Sequence, residues 1–220
     1  MTVDDDIPRV TVVIPCRNEA GALPGVLAAV PAGYLALVVD NGSTDGTATV
    51  AAEYGATVLT EERPGYGAAV QAGVEAAKTE LVAVLDGDGS MDPAELPALV
   101  DTLADGVTMV AGRRRPVPGA WPWHARAGNW LLATWLRRRY RLEVHDLAAM
   151  RVIRRADLVA LGPLHPRSGY PLELLARAAG AGWQVREHDV TYRPRSHGVS
   201  KVSGSVRGTL RAARDFWSVR

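Results

Sequence analysis

The sequence predicts an α/β protein with a mostly parallel central sheet flanked by helices. Apolar runs of five to seven residues recur without polar alternation, as strands buried on both faces do. Ala-rich, helix-compatible stretches separate them. Three runs also end in polar signatures, and doubly wound sheets bind ligands beyond the carboxyl ends of their strands.

The elements follow in order. "RVTVVIP" from Arg9 is a β-branched run closed by Pro15, and residues 21–30 suit a helix. "LALVVD" from Leu35 ends at Asp40; residues 45–54 then suit a helix, with Gly55 placed as a C′ residue. "ATVLT" from Ala56 precedes a helical stretch over 66–78, and "LVAVLD" from Leu81 precedes one over 92–105. Asp92-Pro93-Ala94-Glu95 has the order of an N-cap, an N1 proline, N2 and a reciprocating N3 glutamate. "VTMVA" from Val107 is the fifth run. The second half changes character: residues 113–140 hold two arginine triplets and four of the six tryptophans, Trp121, Trp123, Trp130 and Trp135. "YPLELLARAAGAGW" from Tyr170 reads as a helix, "WQVREHDVTYRP" as a strand, and a basic tail ends the chain.

Bulk properties narrow the function. The 220 residues suit one domain, 1–220, and 47% hydrophobic with 22% charged residues describes an ordinary globular chain. A net charge of +1 gives no global field for nucleic acid. The single cysteine, Cys16, excludes an internal disulfide and suits a reducing cytoplasm. The acidic start lacks the apolar core of a signal peptide, and no apolar stretch approaches a membrane span, so membrane contact is expected to be peripheral.

The chemistry gathers at three strand ends: "IPCRNEA", "VVDNGSTDGT" and "LDGDGSMDP". Gly87 lets the chain turn so that Asp86 and Asp88 face one ligand. Two carboxylates with diphosphate oxygens suit Mg²⁺ or Mn²⁺; the plainer alternative is a solvated turn before a helix capped by Asp92. Asp40 suits a nucleoside contact or a capping segment, and the two are compatible. "RPGYGAAVQAG" is similar to a glycine-rich nucleotide loop, but Val70 replaces the third glycine of G-x-G-x-x-G, against a nicotinamide cofactor. No P-loop, G-x-S-x-G or paired-histidine metal motif is present, and Cys16 reads as a small buried residue rather than a nucleophile.

In their order, "VVIPCRNEAGAL", "LVVDNGSTDGT", "RPGYGAAVQAG", "LVAVLDGDGSMDPAELPALV" and "MVAGRR" closely resemble the family 2 glycosyltransferases of the GT-A fold, a Rossmann-like arrangement. "VHDLAAMRVIRR" and the stretch from Tyr170 to "RSHGVSK" resemble the dolichyl-phosphate mannosyltransferase and polyprenyl-phosphate glycosyltransferase branch, with its R-x-x-G-x-S-K signature. The resemblance implies a UDP- or GDP-sugar donor, Mg²⁺ or Mn²⁺, and inversion at the anomeric carbon. Residues 1–112 would form the nucleotide-sugar half and 113–220 the acceptor side. Pro15, Arg17, Glu19 and Asp40 would line the nucleoside pocket, with Gly67 and Ala68 near it. Asp86 and Asp88 would hold the metal, Asp88 most directly. Ser90 stands where the branch often has a metal-binding glutamine, and Asn41 where a second acid is common.

On the acceptor side, an anionic phosphate needs cations to position it more than it needs a base. Arg113 matches the arginine of a G-S-R motif, while Arg195 and Lys201 of "RSHGVSK" would bind acceptor or donor phosphate. Trp121 stands where the branch usually has another arginine. With a hydroxyl acceptor, Asp146 would be the candidate base; the alternative is a structural carboxylate bonded to Arg151 or nearby backbone. A nucleotide-sugar-binding protein without turnover is the competing class.

"GNWLLATWLRRRYR" puts Trp130, Leu131, Trp135 and Leu136 near one helical face beside a basic cluster, which suits a lipid headgroup region or packing on the sheet. The tail sets Val202, Val206, Leu210 and Trp217 against Arg207, Arg211 and Arg214, as a lipid, docking or homodimer contact would. The expected location is the cytoplasmic face of the inner membrane, with a polyprenyl-phosphate or other lipid acceptor.

Overall fold

The computed structural model describes residues 9–104 and 106–198. The five apolar runs form β1 (Val10–Cys16), β2 (Tyr34–Asp40), β3 (Thr57–Thr60), β4 (Leu81–Val84) and β5 (Met109–Pro116). Between them run α1 (Leu23–Ala28), α2 (Thr47–Glu53), α3 (Tyr66–Ala76) and α4 (Leu96–Thr102). The second half adds α5 (Trp123–Tyr140), β6 (Arg151–Arg154), α6 (Arg155–Ala160), α7 (Tyr170–Gly180) and β7 (Val185–Tyr192).

The seven strands of the described residues make one sheet in the order β3-β2-β1-β4-β6-β5-β7. Only β6 runs antiparallel to its neighbours, pairing Val84 of β4 with Arg151. Alternate residues of each strand feed opposite faces. Val13, Val39, Val82 and Ile153 pack in one core with α3 and α7; Val12, Ile14, Val38 and Val152 pack in the other with α1 and α4. Burying side chains such as Ile14 and Ile153 fully contributes roughly 1.5–3 kcal/mol each, which explains runs without polar alternation. The parallel register aligns Cys16 with Asp40, so the polar ends of β1 and β2 share one edge.

Three expectations need correction. The helix read over 92–105 is a 3-10 turn (Pro93–Glu95) followed by α4, because Pro97 lacks the N–H that would bond back to residue 93. Asp92 caps that turn through Ala94 N at 3.1 Å, but Glu95 does not reciprocate; its carboxylate accepts from Thr191 N at 2.9 Å, tying the turn to β7. On α5, Leu136 joins Ala133 in the core, whereas Trp123, Trp130, Leu131 and Trp135 face outward, Trp123 at 80% exposure and Trp130 at 60%.

Candidate functional site

The turn after β4 is pressed against the end of β1. A Cβ on Gly87 would stand 2.6 Å from Cys16 Sγ, so the close approach requires glycine there. Cys16 is buried, and its sulfur forms part of the floor under the acid turn. Asp88 is buried beside the half-buried Asp86. Asp88 Oδ1 accepts from Ser90 N at 2.9 Å, and Oδ2 accepts from Arg195 Nη2 at 2.9 Å. Ser90 Oγ is buried with no hydrogen-bond partner among the described residues.

The segment 193–198 crosses this turn. Arg193 N donates to Ser90 O at 2.8 Å, while Ser196 N and Oγ donate to Asp88 O at 3.1 and 3.2 Å. Arg195 also faces Glu19, Nη1 to Oε1 at 3.5 Å. The structure therefore brings Glu19, Asp88 and Arg195 together from three distant parts of the chain. Lys201 lies outside the described residues, as does the tail from 199 onward.

Burial, and then the adjacent Asp88, push the Asp86 carboxyl up to about 6, against the opposing charges of Arg151, Arg195 and Arg114. Two acids held this close in a half-dry turn repel, and a cation between them relieves the repulsion.

Backbone bonds lace the loops after β1 and β2 together. Asn18 N donates to Ser43 Oγ, Thr44 N to Asn18 Oδ1, Glu19 N to Thr47 Oγ1 and Ala20 N to Asp45 Oδ2. Pro15 and Asp40 end up on adjacent strands at this edge, and Arg17 is exposed above them. Asp40 Oδ1 accepts from Ser43 N. Asn41 uses both amide protons on carbonyls, Glu61 O and Arg63 O at 2.8 Å each, and its Oδ1 accepts from Gly65 N at 2.8 Å. An aspartate could not make the two donations.

Gly67 and Ala68 lie under the backbone of residues 165–166. Ala68 N donates to Pro166 O at 2.8 Å, so that N–H is already spent within the protein. A Cβ on Gly67 would overlap His165 O.

Asp146 is not bonded to Arg151. Its partner is Arg114, which gives Nε to Oδ2 at 2.9 Å and Nη2 to Oδ1 at 2.6 Å. The backbone N–H groups of Arg114 and Ala148 add bonds at 3.1 and 3.0 Å. Both carboxylate oxygens are thus already held by donors of the protein itself. Arg114 stacks on Trp121, its guanidinium carbon 4.0 Å from the ring, with Tyr192 beyond at 5.4 Å. Trp121, which stands where the resemblance implies an arginine, covers Arg114. Arg113 is half-buried on the neighbouring position of β5. The positive charge of Arg114 also acts on Asp86 in the acid turn.

Arg114, Arg151, Tyr66 and Tyr192 were not singled out as site residues. Arg114 looked like one member of a charged triplet, and only the alternation along β5 distinguishes it. Arg151 carried a clearer signal, a charge opening the short apolar run "RVIR".

Comparison with known proteins adds three findings. The description "Glycosyl transferase family 2" matches residues 11–158. A Mycobacterium tuberculosis protein named as an uncharacterised glycosyltransferase is 63% identical over 96% of this chain and 97% of its own. The polyprenol monophosphomannose synthase of Mycolicibacterium smegmatis is 33% identical over 96% of this chain and 88% of its own. Among solved structures, glucosyl-3-phosphoglycerate synthase of M. tuberculosis, crystallised with Mn²⁺, UDP and glucosyl-3-phosphoglycerate, superposes with a TM-score of 0.78 at 21% identity. That superposition covers 96% of this chain and 77% of the other, and at this identity it speaks for the fold.

Proposed function

The chain belongs to glycosyl transferase family 2 and is a glycosyltransferase; from that premise we propose that it moves a hexose from a UDP- or GDP-sugar to a polyprenyl-type phosphate, with inversion. The observation that carries the donor side is the acid turn, where Asp86 and Asp88 stand together beside the unpartnered Ser90 oxygen.

These residues fit a hard divalent cation. Carboxylate and hydroxyl oxygens are the donors Mg²⁺ and Mn²⁺ prefer, and the repulsion between the acids favours one. No cluster of three or more His, Cys, Asp or Glu occurs among the described residues, so diphosphate and water oxygens would complete the set. Asp86 and Asp88, with Ser90, would hold the ion, whose chemistry is to neutralise charge on the departing nucleoside diphosphate.

The chain's own groups do the rest. Arg195, beside Asp88 and Glu19, is a cation suited to a phosphate oxygen. Lys201 and Arg113 would contribute to the acceptor anion. Asp146 serves better as the anchor of Arg114 than as a base, which supports an acceptor that is already an anion.

Two observations support a lipid-borne acceptor. The mycobacterial relative at 33% identity is named for a polyprenol product. On α5, Trp123, Trp130, Leu131 and Trp135 are exposed, and the last turn carries Arg137, Arg138 and Arg139. Exposed tryptophans beside arginines suit the headgroup region of an anionic membrane. No helix among the described residues is long and apolar enough to cross a membrane, so the contact proposed is peripheral, at the cytoplasmic face.

Thermal unfolding with UDP- and GDP-hexoses, with and without Mn²⁺, tests the donor assignment. One nucleotide sugar should raise the Tm by several degrees only with Mn²⁺, since ligand binding to the native state adds stability. No shift with any of them would overturn the assignment.

A further inference from the structure

Arg151 opens β6 directly opposite Val84, at the end of the strand that leads into the acid turn. Its side chain is fully buried and makes no ion pair among the described residues. Nη1 donates to Ala148 O at 3.0 Å and Nη2 to Tyr66 Oη at 2.8 Å, while Nε has no partner. The rings of Tyr66 and Tyr170 stand 6.0 and 5.5 Å from its guanidinium carbon.

Burying a guanidinium without a bonded carboxylate is unfavourable unless nearby negative charge compensates it. The charge of Arg151 reaches Asp86. The turn between Asp146 and Arg151 is also held in an uncommon shape. Ala148 has φ +55, its N–H donates to Asp146, and its carbonyl accepts from Arg151.

We propose that Arg151 is a positioning residue of the donor site, setting a fixed positive charge behind Asp86 and tying the Asp146–Arg151 turn to Tyr66 at the start of α3. This rests on reading the acid turn as the cation site. The consequence is an order of binding. The buried positive charge weakens the turn's hold on a bare divalent ion, so strong retention needs the diphosphate as well.

Mn²⁺ binding without nucleotide, followed by the free-ion EPR signal, separates the possibilities. Arg151→Gln should bind Mn²⁺ about five-fold tighter than wild type, and Arg151→Lys, which keeps the charge, within about two-fold of it. A protein that merely lost a structural residue would not gain affinity. Unchanged or weaker binding by Arg151→Gln, with binding abolished in Asp88→Ala, overturns the proposal alone. Binding unaffected in Asp88→Ala overturns the cation-site reading and the proposal with it. Tyr66→Phe tests the tie and serves if Arg151→Gln does not fold. It should lower kcat about five-fold or more while Mn²⁺ affinity stays within about two-fold. Native kcat in Tyr66→Phe overturns the positioning role.

Discussion

Arg195 Nη2 stands 2.9 Å from Asp88 Oδ2, joining the segment that crosses the acid turn to the buried carboxylate beneath it. Asp88 is nearly inaccessible and the Arg195 side chain is 25% exposed, so the pair is shielded from salt on one side only. The same guanidinium faces Glu19 from β1's loop. One cation thus organises two acids at the acid turn. Arg195→Ala should raise the KM for donor or acceptor about ten-fold, with Arg195→Lys intermediate because it keeps the charge and loses the fork. Steady-state kinetics with each substrate varied in turn checks this.

Asp86 gives a pH prediction for the metal-free protein. Its folded pKa of about 6 lies above the ordinary carboxyl value of 3.8, so the native state holds a proton that the unfolded chain has released between those values. Stability contributed by this group therefore falls as pH rises from about 4 to 6, and the full penalty persists above that. The size is on the order of 1–3 kcal/mol. Asp86→Asn should remove that component, so its stability gain over wild type appears at pH 7 and vanishes near pH 4. Urea unfolding of both proteins at several pH values, with chelator present, measures it.

Asn41→Asp tests whether the amide is a clamp or a missing charge. The substitution strands Glu61 O and Arg63 O without donors and adds a carboxylate close to them. The expected loss is about 2–3 kcal/mol by chemical denaturation. A neutral result would mean that the loop entering α3 is held by other contacts.

Gly87→Ala places a methyl group 2.6 Å from Cys16 Sγ and 3.2 Å from a methyl of Ile14, which leaves it little room. Activity should fall about ten-fold or more as the acid turn lifts from β1. Adding Cys16→Ala should restore part of the loss, a non-additivity expected of touching residues. The kinetics of both single variants and the double variant give the coupling.

Trp130→Ser combined with Leu131→Ser removes two exposed apolar side chains of α5. Retention on anionic phospholipid vesicles should drop about ten-fold, with little change in stability because neither side chain is in a core. Vesicle co-sedimentation beside thermal unfolding checks both halves of this expectation.

Much of the first half was readable in the sequence because β1, β4 and the second half of β2 are buried on both faces. β4 is pure Val, Leu and Ala and β1 and β2 are mostly Val, Leu, Ile and Ala, and their polar ends share an edge once they pair in parallel. The second half was harder to read. β6 is four residues long and bounded by arginines, which resembles a charged loop until antiparallel pairing with β4 and β5 shows otherwise. The segment 193–198 meets Asp88 across more than a hundred residues, and no local pattern encodes that crossing. Asp146 was visible as a candidate, but its partner was not, because Arg114 is one of three adjacent arginines. On α5 the spacing grouped Leu136 with Trp135, whereas packing separates them: Leu136 is in the core and Trp135 outside.

Hexose transfer from a labelled UDP- or GDP-hexose to a polyprenyl phosphate, measured as label entering the organic phase, tests the central claim most directly. The wild-type protein should form product with Mn²⁺ and lose it with EDTA, and Asp88→Ala should reduce the rate at least about a hundred-fold. Transfer that persists in Asp88→Ala, or that proceeds equally well in EDTA, would contradict the account.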